Sequence, residues 1–295
     1  MWGSCPGRND PVEHMYPTAY PQASAVEPRV LVMGGGDVGS AVAHALFQRH
    51  ARVLIAERAS SPHARRGMAF TDALFDGESR LEGVEARHVG DVQAAEACWG
   101  QRHCIPVMTI PENLITAAIR FDAVIEATMR REPVRTDIRA LAPLAIGLGP
   151  GYTPGVNCHI AIETQWGERM GQVLRDRAAA PRAGGPRALD GVTRERFVPA
   201  PGAGIWHTSA SLGQRVRTGD LVGHLDHTPI RAPIDGHLRG LSRDGVQVAA
   251  GARLIEVDPR RAPELAGLGE RPRAIAAGVV TALEPLLSGG VRAGE

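Results

Sequence analysis

The chain has 295 residues, 43% apolar and 22% charged, which suits a globular protein of about two domains at ~100–200 residues each. Its 33 Lys/Arg and 32 Asp/Glu residues give a net charge of +1, which argues against a nucleic-acid binder, since such proteins carry a clear basic excess. All of those basic residues are Arg, so a PLP Schiff base, a GxxxxGK[ST] phosphate loop and a biotinyl- or lipoyl-lysine are excluded.

Residues 1–28, rich in Pro and small polar side chains, read as a flexible extension without the apolar centre of a signal peptide. The run Arg29–Met33 then reads as a buried strand ended by glycines, followed by Val38, Val42, Ala45 and Leu46 at helical spacing. Arg52–Ala56 is a second buried strand, and the unit opens a parallel α/β sheet. Apolar runs at 105–110, 121–125 and 144–148, with a partly alternating stretch at 157–164, extend it. The expected fold is α/β: a Rossmann-like, doubly wound parallel sheet over 29–177, with residues 178–193 as a linker or mobile loop. No apolar stretch approaches ~18 residues, so no membrane span is expected.

Residues 194–260 change to short strands separated by Gly, Pro and Asp turns, an all-β pattern. This part repeats itself. Ala200, Pro201, Gly204, Gly213, Val216 and Gly219 recur 32 residues later as Ala232, Pro233, Gly236, Gly245, Val248 and Gly251. Such a period marks a duplicated supersecondary unit, and two copies about a pseudo-two-fold would interleave into a small sandwich. It resembles the barrel-sandwich of biotinyl/lipoyl carrier domains, with Asp226-His227-Thr228-Pro229 where the modified Lys would stand. Residues 261–295 carry the stripe Ile275, Val279, Ala282, Leu283, Leu286, an amphipathic helix docked on the domains that Pro285 should end or kink.

Gly34-Gly35-Gly36-Asp37-Val38-Gly39 matches GxGxxG between a strand and a helix, and Glu57 closes the second strand. In a dinucleotide site Gly34, Gly36 and Gly39 admit the pyrophosphate, the helix N-terminus supplies amides and the acid holds ribose. Asp37 at the helix start also fits a self-capped turn, and it would repel a phosphate. Arg65 and Arg66, just past the second strand, read either as an anion clamp or as a solvated loop. The loop holding Gly149, Gly151 and Gly155 leaves an apolar strand and reads as a ligand lip or a tight crossover. Cys158, His159 and Glu163 are candidate catalytic groups, with His159 and Glu163 on one strand face and Cys158 on the other. The four cysteines, Cys5, Cys98, Cys104 and Cys158, show no CxxC spacing, which points to a reducing cytoplasm. His224, His227 and His237 lack a zinc spacing, so no metal is expected.

With these residues in view, the chain resembles the YqeB-type accessory proteins of selenium-dependent molybdenum hydroxylase systems. The resemblance rests on the glycine turn, on Arg65-Arg66-Gly67-Met68-Ala69-Phe70-Thr71-Asp72-Ala73 and on Leu148-Gly149-Pro150-Gly151-Tyr152-Thr153-Pro154-Gly155. It also rests on Ala232-Pro233-Ile234-Asp235-Gly236 and Val257-Asp258-Pro259-Arg260. It implies a cytoplasmic maturation factor that handles a molybdenum cofactor of the molybdopterin type, or a nucleotide. Its partners would be a client molybdenum hydroxylase and other maturation proteins, and a homo-oligomer is compatible with this. After Glu163-Thr164 this chain has Trp166-Gly167-Glu168 where such proteins usually have Arg-Gly-His. From the residues alone, two alternatives stand beside it: an NAD(P)-dependent oxidoreductase using Glu57 for the ribose, and a non-catalytic interaction protein with a vestigial dinucleotide site.

Overall fold

The computed structural model describes residues 27–289 except 60, 102 and 131–134. Most of the expected N-terminal extension, Cys5 included, lies outside the described residues.

Nine strands form one sheet: β1 (Arg29–Met33), β2 (Arg52–Ala56), β3 (Glu78–Leu81), β4 (Val84–His88), β5 (Cys104–Met108), β6 (Ala123–Glu126), β7 (Leu144–Leu148), β8 (Ile160–Ile162) and β9 (Val173–Leu174). Their order is β3-β4-β5-β2-β1-β6-β7-β8-β9. Side chains alternate across it. Val30, Val32, Val53 and Ile55 face one apolar cluster, while Leu31, Met33, Leu54 and Val124 face another. Burial on both faces is why these strands are continuous apolar runs. Helix α1 (Asp37–Phe47) lies on the first face. The single turn α2 (Ala73–Asp76) follows, and α3 (Val92–Gln101) and α4 (Glu112–Ala118) pack on the second face through Ala95, Trp99 and Ile115.

The expected Rossmann-like doubly wound parallel sheet is not what forms. The sheet is mixed, because β3 pairs antiparallel with β4 at one edge and β9 with β8 at the other. The β3–β4 hairpin turns at Glu82 and Gly83, both at positive φ (46° and 85°), the pairing of signs that a type I′ hairpin turn requires. The helix–strand alternation also stops. β7 passes to β8 through the glycine loop at 149–159 with no helix, and Tyr152 of that loop packs on the second face. Cover for the first face comes from the chain's far end. Helix α5 (Glu270–Gly289) lies against α1 and touches β8 and β9, burying Ile275, Val279 and Leu283. Gly278 sets the close approach, since a Cβ there would stand 2.0 Å from the Gly171 carbonyl oxygen. Helix α5 runs through Pro285, which does not end it. The proline is exposed and removes only the bond to the Thr281 carbonyl near the helix end.

Residues 197–258 form two further antiparallel four-stranded sheets. Strands β10 (Phe197–Pro199), β11 (Gly204–His207), β12 (Arg215–Val216), β13 (Leu221–Leu225), β14 (Thr228–Arg231), β15 (Gly236–Leu241), β16 (Val246–Val248) and β17 (Arg253–Asp258) pair as β10-β17-β15-β12 and β14-β13-β11-β16. The 32-residue repeat explains this order. Adding the offset carries β10, β11, β12 and β13 onto β14, β15, β16 and β17, and each strand and its repeat lie in opposite sheets. Both sheets therefore have the same strand order. Trp206 fills the space between them, fully buried, with its indole N–H donating to the Ser242 carbonyl (3.0 Å). Asp226 and His227 make the β13–β14 turn, with Asp226 at φ 50°.

Candidate functional site at the carboxyl edge of the sheet

The glycine turn leaves β1 at its carboxyl end and enters α1. Gly34 has φ +104°, and a Cβ on it would meet the Thr128 backbone at 2.8 Å. The Gly35 carbonyl accepts from the hydroxyls of Ser40 and Thr71, and the Ser40 hydroxyl oxygen accepts from the Phe70 N–H. Gly36 is the residue before α1 and offers the helix no side-chain cap. A Cβ at Gly36 would first meet the His63 imidazole, 3.7 Å away.

Glu57 stands within this turn. Its Oε2 accepts from the Gly35 N–H (2.7 Å), and its Oε1 accepts from the Arg58 N–H (2.7 Å). The carboxylate expected to hold ribose is thus engaged with backbone amides of its own fold. Asp37 accepts the Val38 N–H on Oδ1 (2.9 Å), which satisfies one of the open amides of α1. Its Oδ2 accepts from Arg65 Nη1 (2.9 Å). Burial acts to raise the Asp37 carboxyl, but Arg65, His63 and Arg271 outweigh it and hold it below the usual carboxylate value.

Arg65 spans two parts of the molecule. Its Nε donates to Glu256 Oε2 (3.0 Å) on β17, while Nη1 reaches Asp37. Burial opposes its charge, yet Asp37 and Glu256 raise it well above the ordinary guanidinium value. The segment around it docks as a strap, since Leu241 N–H donates to the Ala64 carbonyl (2.7 Å) and Ser242 Oγ to the Pro62 carbonyl (3.2 Å). Arg66 does not join Arg65. Its charge is felt by Arg243, Asp72 and Asp76, and burial followed by Arg243 lowers it. Arg271 takes the second place instead. Its Nε donates to the Thr164 carbonyl (2.8 Å) at the end of β8. Burial lowers Arg271, Asp37 opposes, and Arg182 and Arg65 add to the lowering. Two guanidiniums, Arg65 and Arg271, and the His63 imidazole thus share the neighbourhood of one carboxylate at the first turn of α1.

The second glycine loop is a crossover that closes on itself. Gly149, at φ +84°, packs on Thr164, and its N–H donates to the Ile162 carbonyl (3.0 Å). The Gly151 carbonyl accepts from Asn157 Nδ2 (2.8 Å), and Gly155 N–H donates to the Cys158 carbonyl (2.9 Å). Gly149 alone of the three lies beside the carboxyl edge, because the chain then runs back along the sheet to the start of β8. Under this loop Glu126 makes a buried polar centre. It accepts from the Tyr152 hydroxyl (3.0 Å) and from the Thr128 N–H (3.1 Å), with Arg135 Nη1 at 3.9 Å. Burial and then the Glu126 charge push the Tyr152 phenol far above its usual value.

The three candidate catalytic groups are not brought together. Cys158 and His159 precede β8 and Glu163 follows it, so they lie at opposite ends of that strand. Cys158 is fully buried, and burial pushes its thiol up to about 12. His159 Nδ1 accepts the Ala145 N–H (2.9 Å), and burial followed by Arg139 lowers its basicity. Glu163 holds its own loop, accepting from the Thr164 (2.8 Å), Gln165 (2.9 Å) and Ala180 (2.9 Å) amides. Among the described residues no three His, Cys, Asp or Glu side chains form a metal-binding group, and no helix is long and apolar enough to cross a membrane.

Sequence reasoning missed Arg271, Glu126 and Glu256. A Glu closing an apolar strand was legible at Glu126, but only the return of α5 brings Arg271 to the edge.

The chain is 36% identical over 267 residues to the uncharacterized protein YqeB of Escherichia coli K12. This chain is a relative of YqeB. The match covers 90% of the chain, which spans about half (49%) of the length of that protein. No family model matches the chain. Among solved structures, an aspartoacylase family protein from Mesorhizobium loti is 16% identical, with 81% of this chain and 87% of that one covered and a TM-score of 0.26. A succinylglutamate desuccinylase/aspartoacylase from Rhodobacter sphaeroides is also 16% identical, over 80% and 87%, with a TM-score of 0.24. Likeness this slight carries no argument about fold or activity.

Proposed function

We propose that the chain is an accessory or maturation factor for selenium-dependent molybdenum hydroxylases. In this role it holds a phosphate-bearing cofactor, of the molybdopterin type or a nucleotide, at the carboxyl edge of the nine-stranded sheet. The observation that supports this reading is the convergence of Arg65 and Arg271 on Asp37 at the first turn of α1. Guanidiniums pair with phosphate as they pair with carboxylate, and helix amides add to the attraction. The residues present fit one phosphate group: Gly36 would face it and Arg271 would pair with it, with Asp37 competing for the same cations and holding the Val38 N–H. The cofactor would supply the metal chemistry to a client hydroxylase. This chain's residues bind and orient, and the two four-stranded sheets offer the client or another maturation protein a docking surface.

The NAD(P) reading needs the Glu57 carboxylate, which already takes the Gly35 and Arg58 amides. The proposal is tested by titrating purified protein with molybdopterin cofactor, followed by absorbance. Arg271→Ala should weaken binding by about 10–100-fold, the worth of one charge-assisted hydrogen bond. Asp37→Asn should strengthen it, because a carboxylate competing for the same guanidiniums is removed. Arg66→Ala should leave it unchanged. Equal affinity in all four proteins would remove the assignment.

A further inference from the structure

Cys98 stands near the end of α3 and Cys104 opens β5. Their sulfurs lie 2.8 Å apart. A disulfide needs about 2.05 Å, so the two sulfurs must close by roughly 0.8 Å. Both side chains are buried, Cys98 at 6% and Cys104 at 2% relative exposure. Cys158 has no thiol neighbour among the described residues and belongs to the loop over β7. The surroundings of the pair are fixed. Trp99, next to Cys98, donates its indole N–H to the Val53 carbonyl (2.9 Å), and Arg29 lies over its ring at 5.4 Å. The two cysteines are therefore held at contact by the packing of α3 on the sheet, with a short loop between them.

We propose that Cys98 and Cys104 are a redox-active pair that forms a reversible intramolecular disulfide by exchange with a low-molecular-weight disulfide such as oxidised glutathione. The Cys98 thiol loses its proton and its sulfur attacks the external disulfide. A mixed disulfide forms at Cys98, and one thiolate leaves and takes up that proton. The Cys104 sulfur then attacks Cys98, and the second external thiolate leaves with the Cys104 proton. Two protein thiols are oxidised and one external disulfide is reduced to two thiols, so the step balances. Cys98 attacks first because it is the more exposed of the two. Burial, followed by its hydrogen bond with Cys98, pushes the Cys104 thiol up to about 12, which keeps Cys104 protonated until its partner is activated. The bond would staple the end of α3 to the first residue of β5.

The test uses the full chain carrying Cys5→Ser, equilibrated with oxidised glutathione and read by intact mass and peptide mapping. The expected result is a mass lower by two hydrogens and one peptide pair linking 98 to 104. Cys158 should remain a free thiol, and dithiothreitol should reverse the change. The oxidised protein should melt at a higher temperature, and Trp99 fluorescence should shift on closure. Cys98→Ser and Cys104→Ser should each abolish the linked peptide. Both thiols remaining free while a control dithiol peptide closes would overturn the proposal. So would glutathione staying on Cys98, or a map showing another pairing. The mapping is done on the chain with both cysteines intact, so the result stands even if either serine variant fails to fold.

Discussion

Glu256→Gln should lower the unfolding free energy by about 3–5 kcal/mol, the usual cost of breaking a buried ion pair by removing one partner. The Glu256 side chain has no exposed surface, and four guanidiniums surround it. Arg65 Nε is 3.0 Å from it, Arg239 Nη1 2.9 Å, Arg196 Nε 3.4 Å and Arg253 Nη1 3.8 Å. Arg196 and Arg239 are themselves largely buried, so the neutral amide leaves Arg196 without its carboxylate partner and Arg239 with Asp258 alone, 3.6 Å away. Arg65 comes from the strap after β2, so the same change weakens the join between the nine-stranded sheet and the β sheets. Urea denaturation should show the loss as a lower midpoint, and a shift worth under about 1 kcal/mol, the scale of an exposed pair, would contradict this account.

The same cluster predicts sensitivity to acid. Burial raises the Glu256 and Asp258 carboxyls, but the arginines around them outweigh it and hold both below the usual range, and Asp37 behaves likewise. A carboxyl depressed on folding binds fewer protons folded than unfolded. Its stabilisation is complete above the unfolded value of about 4 and is lost as pH falls through the lower folded value. The urea midpoint should therefore be level at neutral pH and fall on acidification below about 4. In Glu256→Gln the fall should be shallower.

Gly39→Ala is the second change with a large expected effect. A Cβ at Gly39 would stand 1.8 Å from the Gly34 carbonyl oxygen, a backbone atom, and the Cβ is itself fixed by the helix backbone. No rotamer can relieve the clash, so α1 must move away from β1. The cost should be about 3 kcal/mol, the upper part of the overpacking range. Moving α1 also opens the first turn where Asp37 meets Arg65, so cofactor binding should fall with stability. Gly100→Ala is the contrast. It lies in α3 with nothing within 4 Å of its Cβ position, and it should stabilise by roughly 0.5–1 kcal/mol. Thermal melts of the two variants should move in opposite directions. A Gly39→Ala protein that melts with wild type would show that the turn does not set the helix position.

The sequence was most legible where one physical constraint acts locally. Arg29–Met33, Arg52–Ala56 and Leu144–Leu148 are strands because burial on both faces demands unbroken apolar runs. The 32-residue offset was legible because identical turns recur, and the two equivalent sheets carry it out strand by strand. The sheet type was not legible. Apolar runs say that a strand is buried, not which way its neighbour runs, and β8 and β9 are too short to show a period. The hairpin turn at Glu82-Gly83 was visible as a dipeptide but lacked Asn or Asp to mark it. At the site, the glycine turn and Asp37 were readable from strand–helix context. The divergence of Arg65 and Arg66 was not, because adjacent side chains part and the acid that takes Arg65, Glu256, comes from a distant strand, while Arg66 lies beside Arg243. Arg271 reaches the edge only through a helix more than a hundred residues after the loop it touches.

The central claim is that an anion binds where Arg65 and Arg271 meet the first turn of α1. The most direct measurement is a nitrogen–proton correlation spectrum of the isotope-labelled chain during titration with molybdopterin cofactor. The account predicts saturable shifts confined to the Gly35, Gly36, Asp37 and Val38 amides and the Arg65 and Arg271 side-chain signals. Shifts centred elsewhere, with those amides unmoved at saturation, would contradict it.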